Sequence, residues 1–467
     1  MNRLYEINTV VWIETIRKQH KKPLNIDQIP ITYWHKIKDL GFDSVWLMGV
    51  WQRSEAAREI NLKNNEFIKG MKTVLKSFKP QADLAGSAYS IKDYHVSPEL
   101  GGDEALKSLK LQLNKLGLKL LVDFVPNHVA PDHQWTRRPE LFIQGSEEQL
   151  AAEPGNYLRI NGSIYAHGKD PEFPPWNDVL QLNAFSQSLR DEISKLVIGF
   201  SELCDGVRCD MAMLMLNDVF SRTWGHAAGD QPDTEYWQDI ISRVKERRPD
   251  FVFIAESYWG TEQQLMGLGF DYCYDKELYD HILSANVAAI KNRLSLPVEL
   301  QSKFLRFLEN HDEARSSQIM SWPKHKSALL LLLSTPGLQL IYDGQMEGRK
   351  VKLPVHLRRA PKETLNRRLN TFYEKAMKAL PTNKIHGWEL INLPNDNLIA
   401  CSWQAGNIRF YAAVNLTDQS IRLESDLLPP TARIYLNSSG LGKRPIKPSS
   451  SGVRLNLKPY QTIILTK

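Results

Sequence analysis

Between residues 5 and 343 one pattern recurs about eight times: a short apolar run, ending on polar residues, followed by a helix-compatible stretch. The apolar runs are 5–12, 44–48, 118–125, 205–210, 251–256, 270–274, 304–309 and 338–343. Helical patterns cover 31–40, 103–117, 189–202, 235–247, 276–283, 324–333 and about 362–379. Short apolar runs bounded by turn residues suit strands buried on both faces. Strands separated by helices pair in parallel, and eight such units suit a closed (β/α)8 TIM barrel, an α/β fold. A doubly wound sheet is the other solution, but no glycine-rich phosphate turn follows the first strand.

Two regions break the alternation. From Pro126 to about Ser186 the chain is polar, loop-rich and carries seven prolines. Trp135, Phe142, Tyr157, Tyr165, Phe173 and Trp176 could give this excursion a minor core of its own. From about Leu390 the runs NLIACSWQ, IRFYAAVNL, SIRLES, ARIYLNS, VRLNLK and QTIILTK follow one another with turn residues between them. They predict a C-terminal antiparallel β-sandwich. The expected division is therefore a barrel over 1–128 and 187–384, an inserted small domain over 129–186, and a sandwich domain over 385–467. A chain of 467 residues is too long for one ordinary core, which agrees with several domains. The polar, helix-compatible stretch 52–83 reads as a further insertion after the second strand.

Composition excludes some classes. With 24% charged and 42% hydrophobic residues the chain is an ordinary globular one, and a net charge of +6 gives no argument for nucleic acid. The longest apolar run, Ala328–Leu333, is far too short to span a bilayer, so no membrane partner is expected. The opening residues are too broken by charge for a secretory signal. The four cysteines, at 204, 209, 273 and 401, form no CxxC pair and no disulfide framework, so a reducing cytoplasm is expected.

Four strand ends carry polar clusters: Asp123, Asn127 and His128 in VDFVPNH; Arg208 and Asp210 in GVRCD; Glu256 in IAESYW; and Asn310, His311 and Asp312 in LENHDEAR. Each alone could be a cap before the next helix. In a TIM barrel, however, the strand C-termini share one face, so all four would converge there. Alternation along a strand points Arg208 and Asp210 the same way, and the guanidinium would hold the carboxylate ionised and aimed, as a covalent nucleophile requires. Glu256 sits between an apolar run and two aromatics, which should raise its pKa as a general acid requires.

Taken in order, these stretches resemble the four sequence regions of the α-amylase superfamily, glycoside hydrolase family 13, and the resemblance covers essentially the whole chain. It implies Asp210 as nucleophile, Glu256 as general acid/base and Asp312 as the carboxylate that stabilises the transition state. His128, Arg208 and His311 match residues around the −1 sugar. Tyr89, in AYSIKDYHV, matches the tyrosine that stacks on that sugar, and Asp93 an aspartate usually seen beside it. Gly344 and Glu347 in YDGQMEGR match the family's closing segment. Catalysis of this kind requires no cofactor. A structural calcium would use Asn127, but the usual aspartate partner is replaced by Gln181, and one candidate ligand does not make a site that wants six or more oxygens.

Other departures concern specificity. Met213 and Leu214 stand where many amylases carry a lysine–histidine pair for the +2 sugar. Gly86 stands where exo-acting relatives have an aspartate, which leans toward a cleft for an α-glucan chain. The basic loop 348–362 would follow the last barrel strand and could meet an anion such as phosphate. The resemblance therefore implies a retaining hydrolase of α-1,4-glucans or maltooligosaccharides. An α-glucanotransferase or sugar phosphorylase using the same triad is the alternative, and an inactive carbohydrate-binding scaffold a third. Nothing in the sequence addresses oligomeric state.

Overall fold

The computed structural model describes residues 1–380, 385–429, 431–438, 448–449 and 452–466. The expected barrel boundary at residue 384 and the terminal Lys467 lie outside these residues. Eight strands close into a barrel: β1 (Arg3–Asn8), β2 (Ser44–Met48), β3 (Lys119–Phe124), β4 (Gly206–Cys209), β5 (Val252–Ala255), β6 (Tyr272–Tyr274), β7 (Phe304–Arg306) and β8 (Leu338–Tyr342). Each pairs in parallel with the next, and β8 pairs back onto β1 with Arg3 opposite Gln339. This is the expected (β/α)8 barrel.

Period-two alternation divides each strand between two cores. Leu4, Trp46, Leu121, Ile254, Leu305 and Leu340 pack together inside the barrel. Their neighbours Tyr5, Val45, Leu47, Val122, Val207 and Phe253 pack outward in the cluster that includes the helices. Because the inward positions repeat every second residue, the last inward position of β3 is Asp123 and that of β4 is Arg208. The next inward position after Ile254 is Glu256. Apolar residues thus fill the lower barrel, and polar ones crown its C-terminal end.

One expected element is different. Tyr5–Trp12 is not a single strand: β1 stops at Asn8, and Thr9–His20 is a helix. Asn8 caps it, its side chain accepting from the Val11 amide at 3.4 Å. The β-branched run Thr9–Val11 reads locally as strand, but the cap and the burial of that face decide for helix.

The excursion after β3 holds a four-stranded antiparallel sheet in the order 128–129, 176–181, 163–168, 157–160. Its expected minor core is partly realised: Phe142 and Tyr165 are buried, whereas Phe173 is 63% exposed and Trp176 faces the pocket described below. The insertion after β2 forms three helices, Glu55–Lys63, Asn65–Val74 and Pro80–Asp83.

The C-terminal region is two facing antiparallel sheets. Among the described residues a five-stranded sheet and a three-stranded one share a core that includes Leu398, Ala413, Leu465, Leu423 and Leu455. The outer face of the larger sheet, with Trp403, Phe410 and Ile464, joins the main core instead. It docks near the helix Trp322–Leu333, where Trp388 Nε1 donates to the Ser334 carbonyl at 2.8 Å. That helix is apolar on nearly every side because it is covered by barrel and sandwich together. Among the described residues no helix is long and apolar enough to cross a membrane, and all four cysteines are buried free thiols.

A buried ion cluster ties the end of β6 to β7 and to the neighbouring helices. The Asp275 carboxylate, fully buried, accepts from Arg306 Nε at 2.9 Å and Arg293 Nε at 2.8 Å. Removing it strands the buried Arg306 charge. Asp275→Ala is therefore expected to cost about 3–5 kcal/mol of stability, read by denaturant unfolding. A loss below 1 kcal/mol would show the cluster to be dispensable.

Candidate active site

The C-terminal end of the barrel gathers residues from strands far apart in sequence. Arg208, fully buried, stands at the centre. Its Nη1 donates to Asp210 Oδ1 at 2.5 Å, its Nη2 lies 2.9 Å from Glu256 Oε2 and 3.8 Å from Asp312 Oδ2, and its Nε donates to the Tyr274 hydroxyl at 3.2 Å. One guanidinium thus spans three carboxylates. The rings of Trp46, Tyr89 and Tyr274 lie 5.3–5.6 Å from it, so the cation is also held by aromatic faces.

Glu256 is held from three sides. The Met211 amide donates to Oε2 at 2.6 Å, the Tyr258 hydroxyl donates to Oε1 at 2.8 Å, and Arg208 supplies charge. The Met211 amide follows Asp210 directly. Met211 has φ +42, a left-handed backbone that a non-glycine residue adopts at a cost. That turn joins the two carboxylates by a single peptide.

His311 forms a second chain. Its Nδ1 meets Glu6 Oε1 at 2.6 Å, and its Nε2 meets Asp312 Oδ2 at 2.8 Å and the Tyr89 hydroxyl at 2.6 Å. The Tyr89 ring stacks on the imidazole at 5.5 Å. Tyr89 also donates to Asp123 Oδ1 at 3.4 Å, and Asp123 accepts from the Gly49 amide at 2.6 Å and from Trp46 Nε1 at 3.2 Å.

Burial and crowding set different charge states. Burial raises Glu256 to about 7, opposed by Arg208 and reinforced by Asp210 and Asp312. Burial also raises Asp210, with Arg208 pulling against it. Desolvation opposes ionisation of Asp312 too, but His311 and Arg208 bring it down to about 2. Its side chain is 45% exposed to the open pocket, which also favours the anion. Burial alone would neutralise His311, yet Asp312 and Glu6 on either side raise it to about 10, so it stands as an imidazolium. For His128 burial outweighs the upward pull of Asp178 and lowers it to about 4. The cluster therefore combines a carboxyl able to hold its proton near neutrality, a firmly ionised carboxylate and two cations.

A pocket of about 420 Å³ opens onto these groups. Of the expected residues, Tyr89, His128, Asp210, Glu256 and Asp312 line it, and Arg208 and His311 hold them from beneath. Asp93 is not brought there. It lies on the strand Ile91–Val96 and borders a separate hollow with His95, Asp103 and Trp135, because the chain turns between Tyr89 and Asp93. A wider hollow of about 600 Å³ lies at the other end of the barrel, around Lys119 and Phe251, but without a comparable carboxylate cluster.

Several residues that build or support the site were not expected. Glu6 could have been found, since alternation along LYEIN puts it inward beside apolar Leu4. Ser87, Trp176, Asp178 and His356 carry no such signal, because they reach the pocket from loops and from the inserted sheet.

Asn127, the residue a structural calcium would use, is paired with Gln181. Its Oδ1 and its carbonyl both accept from Gln181 Nε2 at 2.9 Å, and its Nδ2 donates to Gln181 Oε1 at 3.2 Å. Among the described residues no three His, Cys, Asp or Glu side chains gather as a metal site.

Comparison with known proteins agrees with this geometry. A family model described as "Alpha amylase, catalytic domain" matches residues 31–149. An alpha-amylase of Haloarcula japonica is 23% identical over 327 residues, covering 67% of this chain and 40% of its own length. Alpha-amylase 3 of Dictyoglomus thermophilum is 24% identical over 290 residues, covering 56% of this chain and 54% of its own. The chain thus spans about half the length of these curated relatives. Among solved structures, an alpha-amylase from Lactobacillus plantarum superposes with a TM-score of 0.68 at 19% identity, over 100% of this chain and 98% of that one. That last likeness is one of fold.

Proposed function

Because the chain belongs to the α-amylase superfamily, we propose that it is a retaining enzyme that cleaves α-1,4-glucosidic bonds of glucans or maltooligosaccharides by double displacement. The observation that carries this reading is the single Arg208 guanidinium spanning Asp210 and Glu256. A shared guanidinium favours the close carboxyl spacing of retaining chemistry, about 5–5.5 Å, over the wider gap that leaves room for water in inverting enzymes.

In the first step an Asp210 oxygen forms a bond to the anomeric carbon as the bond to the glycosidic oxygen breaks. Glu256 gives its proton to the departing oxygen. Arg208 occupies Asp210 Oδ1, which leaves Oδ2 to attack. The transition state is cationic at the ring, and ionised Asp312 stabilises it. In the second step Glu256, now a carboxylate, takes a proton from water. The water oxygen attacks the anomeric carbon and releases Asp210. His128 is neutral and lines the pocket, so its ring can bond a sugar hydroxyl, whereas both nitrogens of cationic His311 are engaged by Glu6, Asp312 and Tyr89 and act through those groups. Tyr89 offers its ring to the sugar's apolar face.

Phosphorolysis has less support than hydrolysis. In the basic loop Arg358 pairs with Glu99, Arg359 with Asp83 and Arg349 with Asp343, so these guanidinium groups are already engaged. The test is a product profile from maltoheptaose, with and without phosphate. Shorter maltooligosaccharides in equal yield under both conditions, absent with Asp210→Asn, are expected. Products longer than the substrate would assign transfer instead. A sugar 1-phosphate formed only with phosphate would assign phosphorolysis and overturn the hydrolytic reading.

A further inference from the structure

The two segments with no evident role in the sequence, 52–83 and 348–362, meet each other at the pocket. Leu84 and Leu357 form an antiparallel bridge, the Ala85 amide donates to the His356 carbonyl at 2.7 Å, and the Arg358 amide donates to the Asp83 carbonyl at 2.8 Å. Arg359 clamps the Asp83 carboxylate with two bonds, at 2.6 and 2.8 Å. Arg53 Nη1 donates to both the Gly86 and Val355 carbonyls, at 2.7 and 3.0 Å, stitching the strands of this strap from behind. Leu84 and Leu357 are buried in a small apolar cluster with Met71, Leu75 and Phe78 from the inserted segment. The strap is thus a built element with its own core.

Its inner edge is part of the pocket wall, through Ser87 and His356. The wall continues into the inserted sheet, because Ser90 Oγ donates to the carbonyl of Asp178, whose own residue and Trp176 also line the pocket. Gly86 precedes Ser87 in the strap, and a Cβ there would meet Ser54, Arg53 and Arg58 behind the wall. It has φ +85, so an aspartate there would be strained, and its carbonyl is spent on Arg53.

The direction of the substrate follows from chemistry. The leaving oxygen must lie at Glu256, after β5, so the departing sugar extends to that side of the barrel. The glycone lies away from it. The strap joins the loops after β2 and β8, the strands that flank β1, and these stand across the barrel from β5. We propose that this strap closes the glycone end of the pocket, so that the enzyme takes α-glucans by the non-reducing chain end and releases short units. The inference rests on the retaining α-glucoside reading above and replaces the open cleft expected from Gly86 alone. A volume of about 420 Å³ sits toward the small end of ligand sites, which suits a chain end rather than a long polymer groove. His356 faces the glycone hydroxyls as a neutral ring, since burial lowers its pKa to about 4 and nearby Arg53 adds to that effect.

The test compares p-nitrophenyl α-maltoheptaoside with the same compound carrying a 4,6-O-ethylidene group on its non-reducing glucose, with products followed by chromatography. The wild-type chain is expected to cleave the free compound and to cleave the blocked one roughly 100-fold more slowly. Arg359→Ala, which loosens the strap, should raise the blocked-to-free rate ratio by about tenfold. Should that variant fail to fold, the wild-type pair of substrates still decides. Equal rates on the two compounds would overturn the closed end while leaving the hydrolase reading intact. Cleavage of neither would overturn the reading itself, and the closed end with it.

Discussion

Asp210→Asn is expected to lower kcat on maltoheptaose by on the order of 10⁴-fold or more while leaving the fold intact. A carboxamide cannot form the glycosyl ester, yet it is nearly isosteric, and its oxygen can still accept from Arg208 Nη1, which now holds Asp210 Oδ1 at 2.5 Å. The unfolding transition should therefore hardly move. The wild-type chain, given a fluorinated glycosyl fluoride that forms the ester quickly and hydrolyses it slowly, should gain the mass of one glycosyl unit on the peptide that contains Asp210. Turnover retained by Asp210→Asn, or the label found on another peptide, would remove Asp210 as nucleophile.

Glu256→Gln should lower kcat/KM for sugar-linked substrates by about 10²–10⁴-fold but leave kcat/KM for an activated substrate such as α-glucosyl fluoride far less affected, while turnover of the ester slows for want of the base. Fluoride departs without a proton, so only the poor leaving groups need the acid. The pH profile of the wild-type chain carries the same information. Burial raises Glu256 to about 7. Its acid form is fully present below that pH and is lost as pH rises through it, so kcat/KM should fall on the alkaline side near 7. On the acid side Asp210 must be ionised. Burial raises its pKa against the pull of Arg208, so the acidic limb should lie above the ordinary aspartate range. The result is a bell, and its two limbs are macroscopic properties of a coupled cluster. Glu256→Gln should abolish the alkaline limb of the residual activity on maltoheptaose. A limb that persists unchanged would assign it to another group.

Much of this was legible from residues alone, for a specific reason. A short apolar run bounded by turn residues and a period of 3.6 are local properties, so Ser44–Met48 and Lys276 onward could be read as strand and helix without knowing what they touch. The polar strand ends were legible because an apolar run interrupted by Asp123, Arg208 or Glu256 breaks its own pattern. Where a local signal misled, a neighbour had overruled it. Thr9–Trp12 looks β-branched and extended, but Asn8 caps it into a helix. Asp93 follows Tyr89 by four residues, but the turn between them sends it to another hollow.

The sequence by itself determined the barrel, the sandwich after it and the charged groups at the strand ends, because these depend on alternation along single segments. Tertiary structure decided the rest. The proton on Glu256 and the charge on His311 depend on burial and on carboxylates contributed by other strands, Glu6 among them. The wall at the far end of the pocket depends on Leu84 meeting Leu357 and Asp83 meeting Arg359, pairs brought together only when β8 closes on β1. Contacts between distant segments follow from the closure of the barrel, and no local pattern of residues encodes it.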